Sequence, residues 1–163
     1  MFSRFTIRTR LSPSEAEEVL WRMICPRRAF LDPEPPTVDT RPFEGRVEDG
    51  SFKCRRVITE RNSFLPIVSG RVMQSEGGAV VQGHMRLAVP VAVMMALWMA
   101  GAITAAAHEL PRGIRDHDLS ALGVSFFPIF GVLLTAVGFY PERRKALRLF
   151  TDALQSSSAS ATP

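Results

Sequence analysis

Residues 87–107, LAVPVAVMMALWMAGAITAAA, form a 21-residue stretch without a charged side chain. Residues 119–141, LSALGVSFFPIFGVLLTAVGFYP, form a second uncharged stretch of 23. A helix of about 20 apolar residues crosses the roughly 30 Å hydrocarbon layer of a bilayer. The residues between the stretches, 108–118, include charges, a proline and a glycine, which favour a turn. The pattern predicts a transmembrane hairpin: helix 87–107, an outward-facing turn 108–118 and helix 119–141.

Lys and Arg residues near the ends of the spans predict the orientation. Within about 20 residues of the spans, six lie on the side of the termini and two lie in the turn. Lys- and Arg-rich flanks stay on the cytoplasmic side of a membrane. The first ten residues include three arginines and no apolar run follows them, which argues against a signal peptide. We expect an integral protein of the bacterial inner (plasma) membrane, with both termini cytoplasmic and reduced thiols at Cys25 and Cys54.

Residues 1–86 predict a small cytoplasmic α+β domain. A short strand is expected at residues 5–11, because apolar or β-branched and charged side chains alternate there. The sequence Ser12-Pro13-Ser14-Glu15 is typical of the start of a helix. Five prolines between residues 26 and 42 then predict a proline-rich loop.

Period-two patterning beyond this loop predicts two antiparallel hairpins. Their strands are expected at 43–48 and 51–58, around Asp49-Gly50, and at 65–74 and 79–87, around residues 75–78. The fold class that we expect is an α+β membrane protein, with a small antiparallel sheet, one or two covering helices and the two-helix transmembrane hairpin.

The C-terminal residues predict an amphipathic cytoplasmic helix at 142–154 and a disordered tail at 155–163. The apolar stripe of the helix fits either the sheet or the membrane surface. We favour docking on the sheet, because four strands and one helix leave much of a sheet face uncovered.

No catalytic, cofactor or metal signature is present in the sequence. The spans contain no ionisable side chain, which argues against a transporter or pump acting alone. Two His and three acidic residues in the turn match no metal-ligand spacing. We therefore expect no enzymatic activity, no cofactor and no metal.

Two sets of residues are candidates for contacts. Basic residues beside a bilayer attract anionic headgroups, and small residues four apart let helices approach closely in lipid. The candidates for headgroup or ligand contact are Lys53, Arg55, Arg56, Arg61 and Asn62. The candidates for helix packing are Ala96, Ala100, Gly101, Ala105, Gly131, Thr135 and Gly138.

Three patterns carry a resemblance: Phe43-x-Gly45-x-Val47, Phe52-x-x-x-Arg56-x-Ile58 and Arg61-Asn62-Ser63-Phe64-Leu65-Pro66-x-x-x-Gly70. With them the chain resembles, over most of its length, small uncharacterised bacterial two-transmembrane-helix proteins with an N-terminal β-rich cytoplasmic domain. That resemblance implies no activity. The order of elements is also distantly similar to the helix-grip, lipid-transfer-like fold.

We therefore expect an integral membrane protein that presents a cytoplasmic domain for binding a partner protein or lipid headgroups. Membrane lipids, a protein partner and a second copy of the chain are the expected partners. Nucleic acid is not an expected partner, because acidic residues are interleaved with the basic ones. One alternative is a membrane-bound enzyme or ligand-binding module for a lipid-like substrate, which requires a cavity at the Arg56/Arg61/Asn62 corner. Another is an accessory subunit of a transport complex.

Overall fold

The computed structural model describes residues 2–26, 40–59, 62–117 and 120–160. It contains a six-stranded mixed sheet and three helices, so the predicted α+β class is confirmed. The strands are β1 (Phe2–Thr9), β2 (Ile24–Pro26), β3 (Phe43–Glu48), β4 (Ser51–Arg56), β5 (Ile67–Ser75) and β6 (Gly78–Arg86). The helices are α1 (Pro13–Met23), α2 (Val89–Asp116) and α3 (Ser120–Ser160).

The sheet has the strand order β1-β6-β5-β4-β3-β2. Both predicted hairpins are confirmed, and Asp49 and Gly50 both have positive φ, as a tight two-residue hairpin turn requires. β1 pairs with β6, antiparallel. The sheet is mixed rather than antiparallel because β2, which the sequence did not predict, pairs in parallel with β3. Three residues are too few for an alternating pattern, and Pro26 is tolerated at a sheet edge.

Helix α1 begins as its sequence predicts. The Ser12 hydroxyl accepts a hydrogen bond from the backbone N–H of Glu15, and the Glu15 carboxylate accepts one from the backbone N–H of Ser12 at 2.7 Å. This reciprocal capping satisfies two amides that the first turn of a helix leaves unpaired. Ala16, Leu20 and Met23 then recur on one face and are buried against the sheet.

The core lies between α1, the C-terminal part of α3 and one face of the sheet. Phe150 of α3 is fully buried, and its ring centroid lies 4.5 Å from that of Phe43 and 5.6 Å from that of Phe52. Gly70 and Gly83 pair across β5 and β6, where a Cβ atom would meet aromatic rings at 2.6 and 2.5 Å. Ala146 and Leu154 are buried in the same core as Phe150, so the predicted amphipathic helix docks on the sheet.

Helix α2 continues through most of the predicted turn. Residues 108–116 are helical with Pro111 inside the helix, so the turn prediction is wrong there; residue 118 lies outside the described residues. Charged side chains favour a turn in sequence, but they also fit an exposed helix: Glu109 and Arg112 lie three residues apart on α2 and pair at 3.9 Å. The helix ends at His117, which adopts a left-handed conformation.

One helix of the described residues, α2, is long and apolar enough to cross a membrane, and its most apolar window is not buried within the chain. The structure thus supports a single candidate span and not the predicted two-helix transmembrane hairpin. Helices α2 and α3 nevertheless pack against each other, with the rings of Trp98 and Phe127 6.4 Å apart.

Helix α3 is one continuous helix of 41 residues, about 60 Å long. The predicted boundaries at 141/142 and 154/155 are wrong, and the described part of the predicted disordered tail, 155–160, is helical. Residues 27–39 of the predicted proline-rich loop lie outside the described residues. A single buried stripe runs along α3 at intervals of three or four residues: Gly131, Thr135, Phe139, Glu142, Ala146, Phe150 and Leu154.

Candidate functional site

The predicted basic cluster does not form one patch. Side chains alternate along β4, so Lys53 and Arg55 project to the face of the sheet opposite the helices, whereas Arg56 projects to the covered face. Arg61 lies outside the described residues. The prediction of a shared headgroup or ligand site therefore needs correction, because neighbours in sequence on a strand lie on opposite faces.

Arg56 is occupied by an ion pair with α3. Its Nε donates to Oε2 of Glu142 at 2.6 Å, and the Nζ of Lys145 donates to Oε1 of the same carboxylate at 3.1 Å. The side chains of Arg56 and Glu142 are 22% and 11% exposed. Burial acts to raise the pKa of Glu142, but the hydrogen bonds and charges of Arg56 and Lys145 outweigh it, and the pKa lies below its ordinary value.

The side chain of Asn62 is likewise already bonded within the chain. Its Nδ2 donates to the carbonyl oxygen of Gly138 at 3.0 Å, and its Oδ1 accepts from the backbone N–H of Phe64 at 2.9 Å. A Cβ atom on Gly138 would lie 2.8 Å from Phe64, so glycine lets this turn rest directly on α3. Arg56 and Asn62 therefore lock the sheet to α3, and their contacts do not support the cavity that the lipid-like-substrate alternative requires at this corner.

The candidate helix-packing residues fall into two groups. On α3, Gly131 and Thr135 are buried, and a Cβ atom at residue 131 would collide with the ring of Trp98. Gly138 is closest to the turn at Phe64 rather than to α2. On α2 all four candidates are exposed, so they are not buried in the contact with α3: Ala96, Ala100, Gly101 and Ala105. Contact of these four with a second copy of the chain stays a prediction.

The face of the sheet opposite the helices, which we call the open face, is strongly basic. No described element covers it, since the buried residues of β1 and β3–β5 project to the covered face; on β6, Val80 is a buried exception. The strand register places seven Lys or Arg residues there against two Glu residues. The basic residues are Arg4, Arg8, Arg46, Lys53, Arg55, Arg71 and Arg86, and the acidic ones are Glu44 and Glu48.

Both glutamates of the open face are already paired, Glu44 with Arg55 and Glu48 with Arg46. The other five cations have no acidic partner within salt-bridge distance among the described residues. A groove of about 390 Å³ lies on this face between β3, β4 and β5. Sequence reasoning missed the face because its residues come from five strands. The signal was present in the alternation of arginines along β1.

The remaining nucleophiles and metal ligands do not build a site in the described part of the chain. Burial raises the pKa of the free Cys54 thiol to about 12, so this thiol is protonated and unreactive at neutral pH. No group of three His, Cys, Asp or Glu side chains with the geometry of a metal site occurs among the described residues. The open face is therefore the candidate functional site.

Comparison with protein-family models, with curated proteins and with solved structures finds no match for this chain. The resemblance to two-span bacterial proteins accordingly stays a prediction, and the function is argued from the geometry of the open face and of α2.

Proposed function

We propose that this protein is a membrane-anchored, non-enzymatic binding module, and that its open face binds an acidic segment of a partner protein. The observation that carries the proposal is the open face itself: a sheet face with seven cations, five of them without an acidic partner among the described residues, in a domain joined to a candidate membrane span. Acidic side chains are the complement of such a surface.

The anchor in this proposal is α2. Two residues, Leu87 and Ala88, separate β6 from α2, and residues 89–107 of the helix extend about 28 Å, the thickness of the hydrocarbon layer. We further propose that the uncharged first half of α3 crosses beside α2, which is supported by their contact. We place both termini in the cytoplasm, the orientation that the distribution of Lys and Arg favours, and we propose the bacterial inner membrane as the location.

Distance along the strands favours a protein rather than lipid as the partner of the open face. Arg86 marks the end of the sheet that is nearest to α2. Arg71 pairs with Gln82, which precedes Arg86 by four residues on β6. At the rise of a strand, Arg71 therefore lies about 13 Å from that end of the sheet. Arg8 pairs with Val80, about 20 Å back. Electrostatic attraction is screened within about 8 Å at physiological salt, so headgroups act weakly at these two arginines.

The test is site-specific photo-crosslinking in native membranes. A photoreactive amino acid replaces Gln82, which lies between Thr6 and Arg71 in the register of the open face. The same probe at Asp152, exposed on α3, is the positional control. The double variant Arg8→Glu/Arg71→Glu reverses charge on the face. Arg148→Glu, exposed on α3, controls for a change of net charge elsewhere.

We expect a crosslink from position 82 to one protein, through a segment that mass spectrometry identifies as acidic. The double reversal should weaken it more than tenfold, since two like-charge contacts at about 1 kcal/mol or more each exceed the roughly 1.4 kcal/mol that corresponds to a factor of ten. Arg148→Glu should leave it unchanged. The proposal would be contradicted if position 82 gave no crosslink, or crosslinked only to lipid or nucleic acid. It would also be contradicted if the double variant gave the same crosslink as wild type.

A further inference from the structure

The end of the sheet nearest α2 carries an exposed aromatic ring among basic side chains. Phe2 is 58% exposed, although a ring of this size is normally buried. It stacks on His84 with 5.4 Å between ring centroids, and the guanidinium of Arg4 lies 5.6 Å from the Phe2 ring centroid. Phe2 also pairs with Arg86 across β1 and β6.

Helix α3 contributes two side chains close to this end. The Nε of Arg143 donates to the hydroxyl of Ser3, the neighbour of Phe2, at 2.7 Å. Tyr140, three residues earlier on the helix, is 47% exposed. We call the set formed by Phe2, Arg4, Arg86, Tyr140 and Arg143 the rim.

The start of α2 limits what can lie opposite the rim. Arg86 and Val89 are three residues apart, which is at most about 11 Å of chain. If α2 enters the bilayer at Val89, the rim lies at the depth of the headgroups. Headgroups are then within reach of these side chains, and little room is left for a partner protein.

We propose that the rim binds the phosphate groups of anionic phospholipids and fixes the domain against the bilayer. Arg4, Arg86 and Arg143 supply the planar, multidentate donors that suit phosphate oxygens. Phe2 and Tyr140 supply the rings that favour the membrane–water interface. The inference rests on the proposed anchoring through α2, and it assigns headgroup contact to residues other than the predicted cluster at 53–62. Arg4 and Arg86, at the end of the open face nearest α2, then contact lipid. Arg8, Lys53 and Arg71 are left as the cations of the open face that have no acidic partner among the described residues and that contact the partner protein.

The test measures how deep position 2 lies in reconstituted membranes. The full chain, as a Phe2→Cys variant in a Cys25→Ser background, carries a nitroxide spin label in phosphatidylcholine liposomes with and without phosphatidylglycerol. Cys54 is buried, so it does not compete for the label. Collisions with oxygen report lipid contact, and collisions with a water-soluble nickel complex report water contact. A label on Ser75→Cys, at the opposite end of β5, is the reference for water.

Two triple variants separate the rim from overall charge. Arg4→Gln/Arg86→Gln/Arg143→Gln removes the three rim cations, and Arg8→Gln/Arg71→Gln/Arg148→Gln removes three cations elsewhere. With phosphatidylglycerol we expect the label at position 2 to collide several-fold more with oxygen than with nickel. That preference should be lost in the rim variant and kept in the control variant.

Equal exposure to nickel at positions 2 and 75 with phosphatidylglycerol, or equal effects of the two triple variants, would overturn the proposal. Extraction at alkaline pH separates this failure from failure of the anchor. If the chain stays in the membrane while the label at position 2 is in water, the rim proposal alone is wrong. If the chain is extracted, the anchor is wrong as well.

Discussion

At the scale of single residues, two of the side chains through which α3 contacts the sheet are an aromatic ring, Phe150, and a carboxylate, Glu142. Phe150 contacts rings from three strands, β1, β3 and β4. Glu142 joins Arg56 of β4 to Lys145 of α3. The sequence predicted that Phe150 lies on an apolar stripe, but not which rings it contacts, because those rings lie 98 to 145 residues away along the chain.

The Glu142 carboxylate makes stability depend on pH in a defined direction. Its pKa is lowered in the folded protein, so its contribution is complete above its ordinary pKa, near 4.5, and is lost as pH falls through the lower folded value. We expect Glu142→Gln to lower the free energy of unfolding by about 1–3 kcal/mol at pH 7, between the values for exposed and buried pairs.

Denaturation of the full chain in detergent micelles, followed by circular dichroism across pH, measures this effect. The difference in free energy of unfolding between wild type and Glu142→Gln should become steadily smaller as pH falls from 5 toward 3, because the wild-type carboxyl becomes protonated. Asp152→Asn, on the exposed side of the same helix, is the control and should change little at any pH. A gap that is constant across pH would show that the ion pair does not stabilise the fold.

At the scale of elements, local sequence signals predicted a helix and a hairpin correctly, whereas the pairing of strands distant in sequence was not predicted. Capping residues predicted α1, and alternation with Asp49-Gly50 predicted β3 and β4, because each signal lies within a few residues. The pairing of β1 with β6 joins residues about 80 apart and leaves no pattern in the chain. The continuity of α3 was missed because Glu142 and the cations that follow it resemble a helix boundary, although the buried stripe keeps its spacing through them.

An insertion tests whether α3 acts as one continuous rod. One alanine added after Pro141 rotates everything beyond it by about 100° and advances it by about 1.5 Å. Ala146, Phe150 and Leu154 would then leave the sheet while the first half of α3 keeps its contact with α2. We expect the domain to lose its cooperative thermal transition and its resistance to limited proteolysis.

The matched control is one alanine inserted after Gln155, beyond the last fully buried residue, Leu154. This variant should melt close to wild type. A hinge near Pro141 would absorb the first insertion. Equal melting temperatures for the two insertions would therefore contradict a rigid α3.

At the scale of the whole molecule, the sheet has one covered face and one basic open face, and α2 begins directly beyond one end of the sheet. The sequence predicted the apolar segment and the docked helix. It did not predict the open face or the rim, since both are assembled by strand register from distant segments. Together they are the basis for proposing a domain held at a bilayer, with headgroups at one end and a protein-binding surface along one side.

The claim that carries this account is that α2 crosses the membrane, and substituted-cysteine labelling in a Cys25→Ser background tests it most directly. A membrane-impermeant maleimide should label Asp116→Cys in intact spheroplasts, should label Ser75→Cys only after the membrane is opened, and should label Leu97→Cys only in denaturing detergent. Labelling of Leu97→Cys in intact membranes at the rate of Ser75→Cys in opened ones, or recovery of the chain in the soluble fraction, would contradict the anchor.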